Sequence, residues 1–175
     1  NIIHLNSKML IITYFLRKLL LVIYMNFPRM KEIRENAGLK QKDIAEAMDV
    51  SKGSYSMWEC GTDTIPLKRL NQFCNYFDVS IDYVVGFNDK KKYANQKPDI
   101  KIKVTGENLK KIRLKKGLTQ VEISNELNIN QPTWNRYENA KNLILTTTLY
   151  ELAKKYHYSI DKILGKDKDI EEETK

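Results

Sequence analysis

Apolar residues recur between residues 30 and 86 in short stripes at helical spacing, broken by polar turns. Ile44, Ala45 and Met48 share one face of a helix predicted over Gln41–Met48. An earlier helix over Lys31–Ala37 stops at Gly38, a residue suited to a left-handed cap. Asp49-Val50-Ser51 forms a three-residue turn, because Asp tolerates left-handed geometry. Ser51 then caps a third helix over Lys52–Cys60. Its Tyr55 and Trp58 face inward, leaving Lys52, Gly53, Ser56 and Met57 outward. A fourth helix begins near Leu67, after Pro66, and a short fifth runs from the cap Ser80 to Gly86.

The same pattern returns 79 residues later, without a gap, from Lys31–Gly86 to Lys110–Gly165. Fourteen of 56 aligned positions are identical, among them Arg34/Arg113, Gln41/Gln120, Glu59/Glu138 and the triplet Ser80-Ile81-Asp82/Ser159-Ile160-Asp161. The apolar positions also stay in step, which chance identities would not produce. Thr119 and Glu122 read as a capping box, Asn128-Ile129-Asn130 as the turn, and Gln131–Asn139 as the third helix. That helix turns Trp134 and Tyr137 inward and Gln131, Pro132, Asn135 and Arg136 outward, and the fourth starts near Thr147. Two short helices joined by such a turn form a helix-turn-helix. The expected fold class is all-α, two tandem five-helix units: residues 30–87 and 108–165, with a basic linker at 88–107 and a charged tail at 166–175.

Composition narrows the function. The chain of 175 residues carries net charge +8, which favours an anionic partner. The charge is uneven: residues 30–86 hold 7 basic and 9 acidic side chains, residues 108–165 hold 10 and 5. Two cysteines and two histidines exclude a disulfide framework and a four-ligand zinc site. Cys60 and Cys74 read as free thiols of a reducing compartment. His157 has no ligand partners nearby in sequence, and no catalytic triad, carboxylate pair or phosphate-cradling glycine loop stands at meaningful spacing. The expectation is a cytoplasmic non-enzyme without cofactor or metal.

Residues 1–29 form an apolar and basic segment. Arg17 and Lys18 interrupt its apolar run, leaving stretches about half of the ~20 residues a spanning helix needs. Residues 1–24 read as translated upstream sequence with Met25 as the natural start; an amphipathic, membrane-contacting helix is the alternative. No stable membrane association is expected. The linker reads as a flexible tether with an extended stretch at Ile100-Lys101-Ile102-Lys103-Val104. Such a tether averages roughly 25 Å and stretches to about 70 Å.

On the third helix of the second unit, Arg136 can bridge guanine O6 and N7, and Asn135 or Gln131 can bridge adenine N6 and N7. In the first unit Lys52 and Ser56 can touch DNA, and Met57 a thymine methyl. Lys68, Arg69 and Thr146–Thr148, at fourth-helix starts, suit phosphate contact or plain capping.

The runs Leu39-Lys40-Gln41-Lys42-Asp43-Ile44-Ala45, Val50-Ser51, Met57-Trp58-Glu59 and Val79-Ser80-Ile81-Asp82-Tyr83 resemble the Cro/repressor (Xre-type) helix-turn-helix domain. So do Leu118-Thr119-Gln120, Trp134-Asn135-Arg136-Tyr137-Glu138 and Ser159-Ile160-Asp161. The resemblance implies a lambda-repressor-like fold in both units and double-stranded DNA as partner, with a homodimer left open. It implies phosphate contacts from Gln41 and Gln120, and structural salt bridges Arg34–Glu59 and Arg113–Glu138. The DNA-contacting set so expected is Gln120, Gln131, Thr133, Asn135 and Arg136, with Gln41, Lys52, Ser54, Ser56 and Met57. The expected function is a transcriptional regulator, a repressor of phage or mobile-element type. The rival is a protein-interaction module, such as an antitoxin or regulator-binding adaptor. The family's usual turn glycine is replaced by Asp49 and Asn128.

Overall fold

The computed structural model describes residues 27–167, so the readings made of residues 1–24 and of the tail beyond Asp167 lie outside the described residues. Ten helices and no strand occur among the described residues. They divide into two compact units, the first ending at Thr64 and the second beginning at Ile65, inside the first repeat. None of these helices is long and apolar enough to cross a membrane.

The first unit holds α1 (Pro28–Asn36), α2 (Gln41–Ala47) and α3 (Lys52–Glu59). Ser51 caps α3 by accepting the Ser54 backbone N–H at 3.0 Å, and Asp49 takes φ 52°, the left-handed geometry that the turn requires. Met30, Ile44, Met48 and Tyr55 are fully buried. Helix α1 begins three residues before the expected Lys31, because Pro28 stands pre-set in the first helical turn.

The second unit begins with the remaining helices of the first repeat, α4 (Leu67–Tyr76) and α5 (Ile81–Val84). It continues with α6 (Ile102–Lys115), α7 (Gln120–Glu126), α8 (Gln131–Glu138), α9 (Thr146–Tyr156) and α10 (Ile160–Ile163). Asn130 caps α8 through Thr133 N–H at 2.8 Å, Asn128 takes φ 53°, and Thr119 with Glu122 forms the capping box of α7. Leu109, Ile112, Ile123, Trp134, Leu152 and Ile163 fill the core at 0% exposure.

The linker departs from the expected tether. Ile102, Lys103 and Val104 open the 14-residue helix α6 rather than an extended stretch. Alternation over five residues is compatible with a helical first turn as well as a strand, and the helix continues into the repeat. Residues 88–101 are tied down. Ser80 N–H donates to Lys91 carbonyl at 2.6 Å, and Gln96 Nε2 to Val79 carbonyl at 2.9 Å. Asn71 and Asn75 each donate an amide proton to Pro98 carbonyl at 2.9 Å. Lys97 N–H reaches Lys166 carbonyl and Lys101 N–H reaches Leu164 carbonyl. The buried Lys166 ammonium closes the clamp by donating to the side-chain amide oxygens of Asn71 and Asn75. A segment with its backbone groups so engaged is a strap, not a flexible chain.

Beneath the strap, α5 and α10 exchange caps. Asp82 N–H donates to Asp161 Oδ2 at 2.9 Å, and Ile160 N–H to Asp82 Oδ1 at 2.7 Å. The Ser159 hydroxyl also donates to Asp82, as does the Tyr93 phenol of the strap at 2.9 Å. Both carboxyls are at 0% exposure. Burial holds both above the usual Asp range, and Asp161 further, because the Asp82 carboxylate faces it with Lys166 only partly compensating. Cys74 lies in the same field, its thiol pushed up by burial and by Asp161. A carboxyl raised above its unfolded value of about 3.9 stabilises fully below that value, and the contribution is lost as pH rises through the folded one. Asp161→Asn keeps a neutral acceptor and donor in place. As pH rises above the unfolded value of about 3.9, urea midpoints of the wild type are therefore expected to fall more steeply than those of Asp161→Asn; parallel profiles would contradict the assignment.

Candidate nucleic-acid interface

The second repeat builds its outward face on a buried ion pair. Arg113 lies on α6 and Glu138 ends α8, and their side chains are 10% and 3% exposed. Arg113 Nε donates to Glu138 Oε1 at 2.5 Å and Nη2 to Oε2 at 3.1 Å, while Nη1 ties the Leu118 carbonyl at 2.9 Å. The Trp134 indole N–H, one turn earlier on α8, donates to Glu138 Oε1 at 2.6 Å. Burial alone would raise the Glu138 carboxyl, but the bonds from Arg113, Gln120 and Trp134 outweigh it and hold it below the usual range.

From Glu138 the network runs outward. Gln120 Nε2 donates to Glu138 Oε2 at 2.7 Å. The carboxylate only accepts, so the Gln120 amide is fixed with nitrogen inward and oxygen toward α8. That oxygen accepts from Gln131 Nε2 at 2.8 Å and from Asn135 Nδ2 at 3.2 Å. Each of these amides uses one proton on Gln120, which leaves an oxygen and a second proton for another partner. Gln131, Thr133 and Asn135 are half-buried, and Arg136 is exposed beside them. Helix α6 passes close over the end of α8: a Cβ built on Gly106 would stand 2.6 Å from the Glu138 carbonyl oxygen and 2.8 Å from that of Tyr137.

The first repeat forms the same ion pair without the outward extension. Arg34 Nε and Nη2 each reach Glu59 at 2.7 Å, and Nη1 reaches the Leu39 carbonyl at 2.8 Å. Gln41 Nε2 donates to Glu59 Oε1 at 3.1 Å. Lys52 and Met57 are exposed, and Ser54 and Ser56 half-buried. The inward set Tyr55, Trp58, Trp134 and Tyr137 is buried.

Thr146 does not lie free for a phosphate. It is buried, and its hydroxyl donates to the Ile65 carbonyl at 2.7 Å; Thr148 is buried as well. Arg69 Nη1 is engaged by Gln72 at 2.8 Å. Cys60 is exposed and Cys74 buried, both as thiols. Sequence reasoning missed the bond from Trp134 to Glu138, although their i, i+4 spacing signals it. It also missed the coupling of Asn135 and Gln131 to Gln120, for which no local signal exists.

This doubled constellation defines a class. The helix-turn-helix family matches residues 30–84 and again residues 109–163, and the chain belongs to that family. Over 61 residues the chain is 32% identical to an uncharacterized HTH-type transcriptional regulator of Bacillus subtilis (strain 168), YobD; the match covers 35% of this chain and 54% of that relative. No solved structure matches.

Proposed function

We propose that the chain is a sequence-specific double-stranded DNA-binding transcription regulator, a repressor of phage or mobile-element type, with α8 as its principal reader of the major groove. The observation that carries this reading is the network that pins Gln131 and Asn135 beside exposed Arg136 through Gln120 and the buried Glu138. Preorganised amides lose little side-chain freedom on binding, and an amide offering an oxygen and a proton matches adenine N6 and N7. Arg136 suits guanine O6 and N7. Thr133, near the start of α8, suits a backbone or base contact. In the first repeat, Gln41, Lys52, Ser54, Ser56 and Met57 form the second reading face, weaker because it lacks the amide network. Residues 30–87 and 108–165 are the two DNA-binding domains in this reading.

Selecting duplexes from a random pool with the full chain tests it. On the preferred duplex Arg136→Ala is expected to cost about 2 kcal/mol, roughly thirtyfold in affinity, and to relax preference at one base pair. An unchanged affinity would remove Arg136 from the reading set. Gln120→Ala leaves Glu138 its bonds to Arg113 and Trp134 but frees Gln131 and Asn135. It is expected to weaken specific binding by about tenfold, or roughly 1.4 kcal/mol, with the affinity for random duplex little changed. An equal loss on both duplexes would show that Gln120 serves the phosphates alone. Enrichment of no duplex at all would favour the protein-interaction reading.

A further inference from the structure

The two repeats carry an identical Ser-Ile-Asp corner, and within the second unit the two corners are paired with each other. The exchange is reciprocal but not symmetric. Asp82 takes the Ser159 hydroxyl and the N–H groups of Ile160 and Asp161. Ser80, the counterpart of Ser159, is turned instead to the strap, its N–H and hydroxyl bonded to the carbonyls of Lys91 and Lys90. Tyr93 of the strap completes the Asp82 site. A corner taken from a second copy would have to displace these covalently tethered partners, which are held at high effective concentration. The reading helices of the repeats also differ: Lys52, Ser56 and Met57 stand outward on α3 where Gln131, Asn135 and Arg136 stand on α8.

From these observations we infer that the corner pairing inside the chain takes the place of self-association, so that a single chain occupies a single duplex site lacking two-fold symmetry. The inference rests on the DNA-binding reading for its second half only. A homodimer presents the same reader twice and so matches a palindrome. A chain that pairs two unlike repeats has no such requirement.

Sedimentation equilibrium of the full chain, alone and with the selected duplex, tests both halves. The expected result is a mass of 20.6 kDa from micromolar to hundreds of micromolar, and one chain per duplex. A dimer mass in free solution, or two chains on one selected duplex, would overturn the inference. A second measurement does not depend on any variant that perturbs the corner. The exposed Arg136→Ala should lower affinity for the selected duplex roughly thirtyfold, relaxing base preference in one half of the site and leaving the preferences of the other half intact. Loss in both halves would mean that two copies of α8 are present and would overturn it. If the chain binds no duplex, the DNA-binding reading fails, while the mass in free solution still decides the pairing.

Discussion

Glu138→Ala is expected to lower the unfolding free energy by about 3–5 kcal/mol, the range seen when one partner of a buried ion pair is removed. The carboxylate collects four bonds from three side chains: two from Arg113 and one each from Gln120 and Trp134. Alanine leaves the Arg113 guanidinium charged, nearly buried, and bonded only to the Leu118 carbonyl among the contacts described above. The Trp134 indole N–H, at a fully buried residue, also loses its acceptor. The same carboxylate sets an acid limit. Held below the unfolded Glu value of about 4.3, it contributes fully above that value, and the contribution is lost as pH falls through the folded one. Urea unfolding at neutral pH checks the substitution; a loss below about 1 kcal/mol would place Arg113 outside the buried, uncompensated class.

Gly106→Ala is expected to destabilise by about 3 kcal/mol, the upper end of the usual overpacking range. The added carbon would stand inside contact distance of two backbone carbonyl oxygens, at Tyr137 and Glu138. Neither can swing aside as a side-chain tip could, because both belong to the final turn of α8. Helix α6 must therefore move away from α8, which also stretches the bonds from Arg113 to Glu138. A substitution remote from the proposed DNA contacts would thus act on the proposed reading face. The check is paired: the thermal midpoint of Gly106→Ala, and its affinity for the preferred duplex. An unchanged midpoint would show that α6 yields freely.

The opposite pH responses of the two kinds of buried carboxyl site follow from their partners. Glu138 and Glu59 each face an arginine and are lowered despite burial. Asp82 and Asp161 face each other, with Lys166 as the nearby cation, and are raised. Stability is therefore expected to be limited from below by the glutamates and from above by the aspartates.

The local geometry of both helix-turn-helix units was legible in the sequence because local chemistry sets it. Ser51 and Asn130 cap where side-chain oxygens must meet free N–H groups, and Asp49 and Asn128 stand where the chain turns left-handed. The inward aromatics and the outward Asn135 and Arg136 follow from a period of 3.6 residues. The strap was not legible. Pro98 and its lysine-rich neighbours resemble a solvated tether, and their partners Asn71, Asn75 and Lys166 lie 23 to 95 positions away from the groups they bind. The Ser-Ile-Asp triplets were visible as repeated caps. Nothing in one triplet announces that its carboxyl bonds to the other, 79 residues on. Long-range polar pairing has no periodicity, and so leaves no pattern to read.

The helix-turn-helix face of this chain is proposed to engage the phosphates and bases of a duplex. Fluorescence anisotropy of labelled duplex across a salt series decides this. The expected result is a straight negative slope of log affinity on log salt, on the order of −4 for a handful of phosphate contacts, and an offset of at least about a thousandfold between the selected duplex and a scrambled one. A flat salt response, or equal affinity for the two duplexes, would contradict it.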